Sequence, residues 1–530
     1  MAIAVAEDQA EAIAFLGRPQ AYGLTGDAEV TRIDTHGAVV FLVGDRAYKL
    51  KRAVKFPFMD FSTVARRRAM CCAEVEINRR TAPHIYLGVA PLLRQDGGLR
   101  LGAVVEPGDL PAEAVDWVVA MRRFDTGRLL DAVAARGELD MALAERLADV
   151  VAAFHRDAER MADRGGAAAL MEAVALDVEQ MAARGDLLDT AVSGRLAVLM
   201  PQAAAAMAAA ADRRREIGAV RRCHGDLHLG NIFLDGDRPG ERRPVPFDAI
   251  EFNERLSCID TLYDLSFLLM DMDFRGLRDQ ANRVLNRYLW LCDGADRDNL
   301  AALALLPIYL ARRGAIRAHV GAANVAHLTG AARERERDKA RGYQRYALAA
   351  LQPQLARLIA IGGLSGTGKT SLALALAPRI GALPGAVVMR SDVLRKRLAG
   401  VPLEQRMPAG WYTPQNAAAI YRALAEQVSV ALRAGHSVVA DAVFARAEER
   451  AAIAEAAREA GVPFDGLWLQ APAEALKSRV AERQGDASDA TPQVVERQLA
   501  YDVRDVDWPI LSTDRSPQAV AQAALSIFRL

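Results

Sequence analysis

Apolar and polar positions change rhythm along this chain, and each rhythm predicts a different architecture. Between about Val30 and Pro91 the apolar runs are short: GAVVFLVGD and RAYKLKR flank the turn-forming pair Gly44-Asp45, which predicts a β-hairpin. The charged, helix-like run ARRRAMCCAEVEINRRTA and the strand-like YLGVAPLLR follow, completing a small α+β unit. From about Thr126 to Leu351 apolar residues recur three and four apart in an Ala- and Leu-rich background, which predicts helices interrupted by RCHGDLHLGNIFL and PVPFDAIEF. ARERERDKARGYQRYALAALQPQLARL reads as a solvated, charged helix leading out of that region. From Arg357 the rhythm alternates. RLIAIGG, AVVMRSD, HSVVAD and FDGLWLQ read as strands, and SLALALAPRI, QNAAAIYRALAEQVSVALRAG, RAEERAAIAEAAREAG and PAEALKSRVAERQ as helices. That alternation predicts a parallel sheet with helices on both faces. The expected organisation is multidomain: residues 1–125 and 126–350 as two lobes of an α+β unit, and 356–530 as an α/β domain.

Composition narrows the function classes. A chain of 530 residues with 52% hydrophobic and 25% charged residues is an ordinary globular protein of more than one domain. Lys plus Arg and Asp plus Glu both number 67, so no overall field draws it to nucleic acid or an acidic membrane. Cys71, Cys72, Cys223, Cys258 and Cys292 have no CxxC spacing, which argues for reduced thiols and against a zinc site. MAIAVAEDQAEAIAFL carries acids where a signal peptide needs a basic segment, and LSFLLMDMDF is too short and too acidic to span a membrane. A cytoplasmic protein is expected.

GLSGTGKT supplies the strongest chemistry. Gly363, Gly368, Lys369 and Thr370 match G-x-x-x-x-G-K-[ST], between a predicted strand and a predicted helix. Such a loop turns its backbone N–H groups inward around phosphate oxygens, so Gly363, Ser365, Gly366, Thr367 and Gly368 become nucleotide-binding positions. Lys369 should reach the β and γ phosphates and the Thr370 hydroxyl should hold Mg²⁺. Asp392 in RSDVLRKRL falls at the carboxyl end of a strand, where it suits a catalytic base, with Arg395 and Arg397 as partners for the transferring phosphate. A helix N-cap followed by a solvated basic face explains the same residues. Asp441 ends VVAD as a metal carboxylate, and Arg479 with Arg483, one helical turn apart, suit a lid as well as a plain surface face. Together these residues resemble the P-loop kinases of small molecules and polynucleotides, including gluconate kinase, polynucleotide 5′-kinase and zeta-toxin-like enzymes, over roughly Arg357 to Leu530. No N-K-x-D motif is present, so ATP is expected rather than GTP.

HGDLHLGN carries a second set. Asp226 and Asn231, five apart in a loop, let a carboxylate face a nucleophile while an amide binds metal, and Asp248 in PVPFDAIEF suits a second Mg²⁺ ligand. Lys49 on the hairpin and Glu74 on the following helix suit the ion pair that orients α and β phosphates, although Lys51 shares the strand face of Lys49 and Glu76 competes with Glu74. These residues resemble the aminoglycoside phosphotransferase and choline kinase-like family over about Val30 to Tyr346. The resemblance implies a protein-kinase-like two-lobed fold, Asp226 as catalytic base, Asn231 and Asp248 as Mg²⁺ ligands, an adenine-binding hinge near Met121, and structural roles for Asp260 and Asp264. DAIEF stands where that fold has Asp-Phe-Gly, and no G-x-G-x-x-G is present.

The whole arrangement resembles bacterial fusions of an aminoglycoside phosphotransferase-like domain with a P-loop ATP-binding domain. The expectation is a kinase using ATP and Mg²⁺ on a small-molecule hydroxyl acceptor, with two nucleotide sites. Two alternatives remain: a P-loop domain that regulates the other domain, and a nucleic-acid 5′-hydroxyl kinase, against which the neutral composition argues. Asp271 and Asp273 read as solvated helix-end charges or as acidity toward a polycationic acceptor. The helical stretches AAALMEAVALDVEQMAARG and LLPIYLARRGAIRAHVGAANVAHL read as core or as the lining of an acceptor cleft.

Overall fold

Gly44 adopts φ 54°, and the two residues Gly44 and Asp45 join strands Ala38–Val43 and Arg46–Lys51 in antiparallel register from Val43 opposite Arg46. This is the predicted hairpin, and its positive φ is the conformation glycine supplies without strain. The computed structural model describes residues 8–25, 29–56, 58–236, 238, 241–292, 296–482, 487–503 and 505–530. By packing, the chain forms two units: Met1–Arg164 with Gly218–Leu265, and Gly165–Ile217 with Ser266–Leu530. The mainly helical stretch is therefore shared between them.

In the first unit the hairpin sits within a six-stranded antiparallel sheet in the order Thr31–Asp34, Ala38–Val43, Arg46–Lys51, Asp116–Arg122, Tyr86–Gln95, Gly98–Leu101. Side chains alternate across it. Val118, Leu50 and Phe41 pack with Leu16 on one face, while Trp117, Val119 and Val89 pack with Cys71 and Val75 on the other. Cys71 and Val75 belong to helix Val64–Asn78, which starts where the Thr63 side chain accepts the Arg66 N–H. Strand pairs Ile232–Asp235 with Arg243–Pro246, and Val220–Arg222 with Cys258–Asp260, bracket the HGDLHLGN loop.

In the second unit helices Gly166–Ala182, Thr190–Ala206, Leu306–Val325 and Gly330–Ala350 pack together. Asp177 pairs with Arg312 at 2.8 Å inside this bundle. Asp271 and Asp273 correct the expectation of solvated charges: both are buried, and they pair with Arg275 at 3.0 Å and Arg278 at 2.7 Å. Arg275 follows the end of helix Thr261–Phe274 and Arg278 opens helix Arg278–Leu291, so each buried carboxylate is neutralised by an arginine at the surface.

A five-stranded, wholly parallel sheet follows, in the order Val387–Arg390, Val438–Asp441, Leu358–Gly363, Phe464–Gln470, Ile510–Ser512. Its central strand is buried at every residue, as expected of a strand covered on both faces. Four strands follow the predicted alternation. The fifth, with helix Pro517–Phe528 after it, is additional. No single helix among the described residues is long and apolar enough to cross a membrane.

Candidate functional site

Strand Leu358–Gly363 delivers the chain into the phosphate loop, and helix Lys369–Leu376 carries it away. Gly366 has φ 88°, and a β-carbon there would stand 2.6 Å from the Leu476 carbonyl oxygen. Only glycine lets the loop lie this close to helix Ala473–Ala481. The loop is held from within by the Thr367 hydroxyl, which donates to Leu364 O at 2.7 Å, and by Lys369 Nζ, which donates to the same oxygen at 3.0 Å. The Ser365 N–H donates to Gln498 Oε1 at 2.7 Å.

The Thr370 hydroxyl donates to Asp441 Oδ2 at 2.5 Å, and Arg390 Nε lies 3.5 Å from that same oxygen. Asp441 is buried at its strand end, and burial pushes its carboxyl up against the opposing charges of Arg390 and Lys369. Asp392 stands two residues past the strand end, in the first turn of helix Ser391–Leu398, and pairs with Arg395. Burial works against its ionisation, but Arg395 and Arg390 outweigh it and hold the carboxyl below the usual range. Arg395 lies over the Tyr412 ring at 5.5 Å. The structure thus brings together Lys369, Thr370, Asp441, Asp392 and Arg395. It directs Arg397 elsewhere, to Cys292 O at 2.7 Å. Arg479 braces the loop from behind, donating to Gly366 O at 3.4 Å and Thr513 O at 2.9 Å. Arg483 lies outside the described residues.

In the first unit Lys49 Nζ lies 2.8 Å from Glu74 Oε1 and 2.7 Å from Asp248 Oδ1. Lys51 Nζ lies 2.6 Å from Glu74 Oε2 and also pairs with Glu251. Both lysines therefore engage Glu74, whereas Glu76 is exposed. Burial opposes ionisation of Glu74, yet Lys49 and Lys51 prevail and hold its carboxyl down at about 2. For Lys49 likewise, Asp248, Glu74 and Glu251 overcome burial and raise its pKa well above the usual lysine value. Asp248 adopts φ 60°, its N–H donates to Tyr86 Oη at 3.1 Å, and the next N–H, of Ala249, donates to Asn78 Oδ1 at 2.8 Å. Helix Val64–Asn78 and strand Tyr86–Gln95 thereby fix the Asp248 turn.

The HGDLHLGN loop is fixed in turn. Asp264, fully buried, accepts the His224 and Gly225 N–H groups at 3.0 and 2.9 Å and contacts His155 Nε2 at 3.1 Å. Asn231 Nδ2 donates to Asp226 Oδ2 at 2.9 Å and to Asp226 O at 3.0 Å. The Phe247 N–H donates to Asn231 O at 3.0 Å, which sets Asp248 beside this pair. His224 Nε2 meets Phe247 O at 2.9 Å, and burial depresses the imidazole pKa. In both places the donors are carboxylate, hydroxyl and amide oxygens, a hard set that suits Mg²⁺.

Residues 358–502 match the family model described as an AAA domain. Over nearly its whole length the chain is 30% identical to an uncharacterized protein of Mycobacterium tuberculosis, across 517 residues covering 93% of each chain. The chain belongs to that protein's family. The match to that relative extends well outside the segment matched by the AAA model. Partial likenesses among solved structures include the APS kinase of M. tuberculosis in complex with AMPPNP and APS, at 22% identity over 34% of this chain and 100% of that one, TM-score 0.26. A Plasmodium vivax ethanolamine kinase matches at 11% identity over 61% of this chain and 85% of that one, TM-score 0.35.

Sequence reasoning missed Glu251, Tyr86, Asn78, Arg390 and Gln498. Glu251 stood in view in DAIEF and Arg390 next to Ser391-Asp392, but each acts on a partner set by the tertiary fold.

Proposed function

We propose that this chain is an ATP-dependent phosphotransferase that moves the γ-phosphoryl group to a hydroxyl of a small metabolite of the sugar, amino-sugar or aminoglycoside-like class, with two nucleotide sites. The first site uses a protein-kinase-like arrangement and the second a P-loop kinase arrangement. The observation that carries the reading is the convergence of Lys369, Thr370 and Asp441 with a second, ionised carboxylate, Asp392, paired to Arg395. A domain that only bound nucleotide would have no use for that second carboxylate.

Lys369 would follow the β and γ phosphates when they displace the Leu364 carbonyl from its ammonium. Asp392 accepts the proton of the acceptor hydroxyl as its oxygen bonds to the γ phosphorus, and the bond to the bridging oxygen breaks to release ADP. Arg395 is placed to meet the charge on the transferring group. In the first site Asp226 takes the proton, Asn231 holds the Asp226 carboxylate in place, and Lys49, oriented by Glu74, meets the α and β phosphates. Bound Mg²⁺ would neutralise phosphate charge, held by Asn231 and Asp248 in one site and by Thr370 and Asp441 in the other.

ATP consumption and phosphorus NMR of the products, over a panel of sugars, amino sugars, aminoglycosides and 5′-hydroxyl oligonucleotides, test the reading. Asp226→Asn and Lys369→Ala should each remove a distinct phosphorylated product. Turnover that Lys369→Ala abolishes with no acceptor phosphorylated would instead make the P-loop domain an ATP-driven regulator.

A further inference from the structure

The strand Val387–Arg390 is the edge of the parallel sheet that ends at Arg390 beside Asp441, and a helix from outside the AAA segment covers it. Asn286 Oδ1 accepts the Val388 N–H at 2.6 Å, and Trp290 Nε1 donates to Val388 O at 2.9 Å. Asn282 Nδ2 and Asn286 Nδ2 donate to Ala386 O at 3.0 and 3.2 Å. All three residues lie on helix Arg278–Leu291 and are buried. Their side chains make the bonds that a sixth strand would otherwise make with this edge. Arg287 with Glu404 at 2.6 Å, and Asp279 with Arg379 at 3.3 Å, tie the same helix to the domain on either side.

The contact continues into the site. Arg390, the last residue of the edge strand, stands 5.3 Å from the centre of the Trp290 ring. Its Nε reaches to 3.5 Å from Asp441 Oδ2, the atom to which Thr370 donates. Arg390 is buried, so it is held between an indole face and a carboxylate, and its charge also bears on Asp392. A planar guanidinium can lie flat on a ring while its edge faces a carboxylate, a shape that a lysine ammonium lacks.

We propose that Arg390 is a positioning residue for Asp441 and that Trp290 holds it there, which makes helix Arg278–Leu291 a working part of the P-loop site rather than a neighbour of it. The inference rests on the phosphotransferase reading, in which Asp441 and Thr370 hold the metal that accompanies ATP. It gives the fusion a physical basis, because the segment that completes the P-loop site lies upstream of it in the same chain.

The test uses the full-length protein and fluorescent mant-ATP, titrated with Mg²⁺ and again with EDTA, and reads the component of binding that Lys369→Ala removes. Trp290→Ala and Arg390→Met should each weaken the Mg²⁺-dependent component about tenfold while changing the metal-free component less than about twofold, as expected when a metal ligand loses its support. Trp290→Phe, which keeps a ring under the guanidinium, should restore most of the affinity. Arg390→Lys, which keeps the charge and loses the stack, should behave like Arg390→Met, and it carries the test if Trp290→Ala does not fold. Manganese EPR with AMPPNP should report the same order of variants. Equal losses with and without metal would reduce Trp290 and Arg390 to packing and overturn the proposal, as would no loss in either. A wild-type protein with no Lys369-dependent binding would overturn the phosphotransferase reading itself, and the positioning role with it.

Discussion

Glu74 shows how a buried carboxylate becomes an anchor. It has no exposed side-chain surface, and two lysines meet its two oxygens. Its carboxyl is held at about 2 against an ordinary 4.5. A folded-state pKa below the unfolded one means that the unfolded chain binds more protons between those values. The contribution of Glu74 is therefore complete above pH 4.5 and is lost as pH falls toward 2, amounting to about 3 kcal/mol at most. Urea melts from pH 6 down to 3 should show the wild type losing stability at the acid end and Glu74→Gln losing less. At pH 7 the variant should be less stable by about 3–5 kcal/mol, because Lys49 and Lys51 are left buried without their shared counter-charge. The pairing of Lys49 with Glu74 was legible because a strand lysine followed by a helix carboxylate is a local pattern. The double engagement of Glu74 was not. Lys51 completes it through Glu251, 200 residues away, and no periodicity encodes that distance.

Among the elements, long amphipathic or uniformly apolar stretches were legible, and short or partly exposed ones were not. The strands Leu358–Gly363, Val387–Arg390, Val438–Asp441 and Phe464–Gln470 all announce themselves as apolar runs between helical patterns. Ile510–Ser512 does not. It is three residues long and buries only Leu511, so nothing in its composition separates it from a loop. Helix Arg278–Leu291 was legible as a helix, but its task was not, because asparagines on a helix face read as solvent-exposed until a strand edge is set against them. Asn286 is the sharpest case, since it answers both a donor and an acceptor of that edge. Asn286→Ala should leave the Val388 N–H buried without this partner and lower stability by about 1–3 kcal/mol. Thermal melts of the variant would contradict the account if they matched the wild type. Asp271 and Asp273 teach the same lesson from the other side: an acidic helix end looks solvated until its carboxylates are seen to be buried, each under a nearby arginine that stays at the surface.

At the scale of the whole molecule, two sets of residues proposed to handle phosphate occur in one chain, each with its own cation, carboxylates and fixed loop. Lys49, Glu74, Asp248, Asp226 and Asn231 converge in one unit, and Lys369, Thr370, Asp441, Asp392 and Arg395 in the other. Sequence order put both sets forward as candidates; Lys369 and Thr370 belong to one loop motif, whereas Lys49 meets Asp248 across 199 residues. What that order did not foretell is that Gly165–Ile217 and the helices from Ser266 on group with the P-loop sheet in one unit. That grouping depends on side-chain bonds between segments about 100 residues apart, such as Trp290 with Val388. If both sets bind nucleotide, isothermal titration of the full-length chain with AMPPNP and Mg²⁺ should give two equivalents bound in the wild type and one in each of Lys49→Met and Lys369→Ala; a single equivalent in the wild type, lost altogether in Lys369→Ala and unchanged in Lys49→Met, would leave the P-loop as the one nucleotide site.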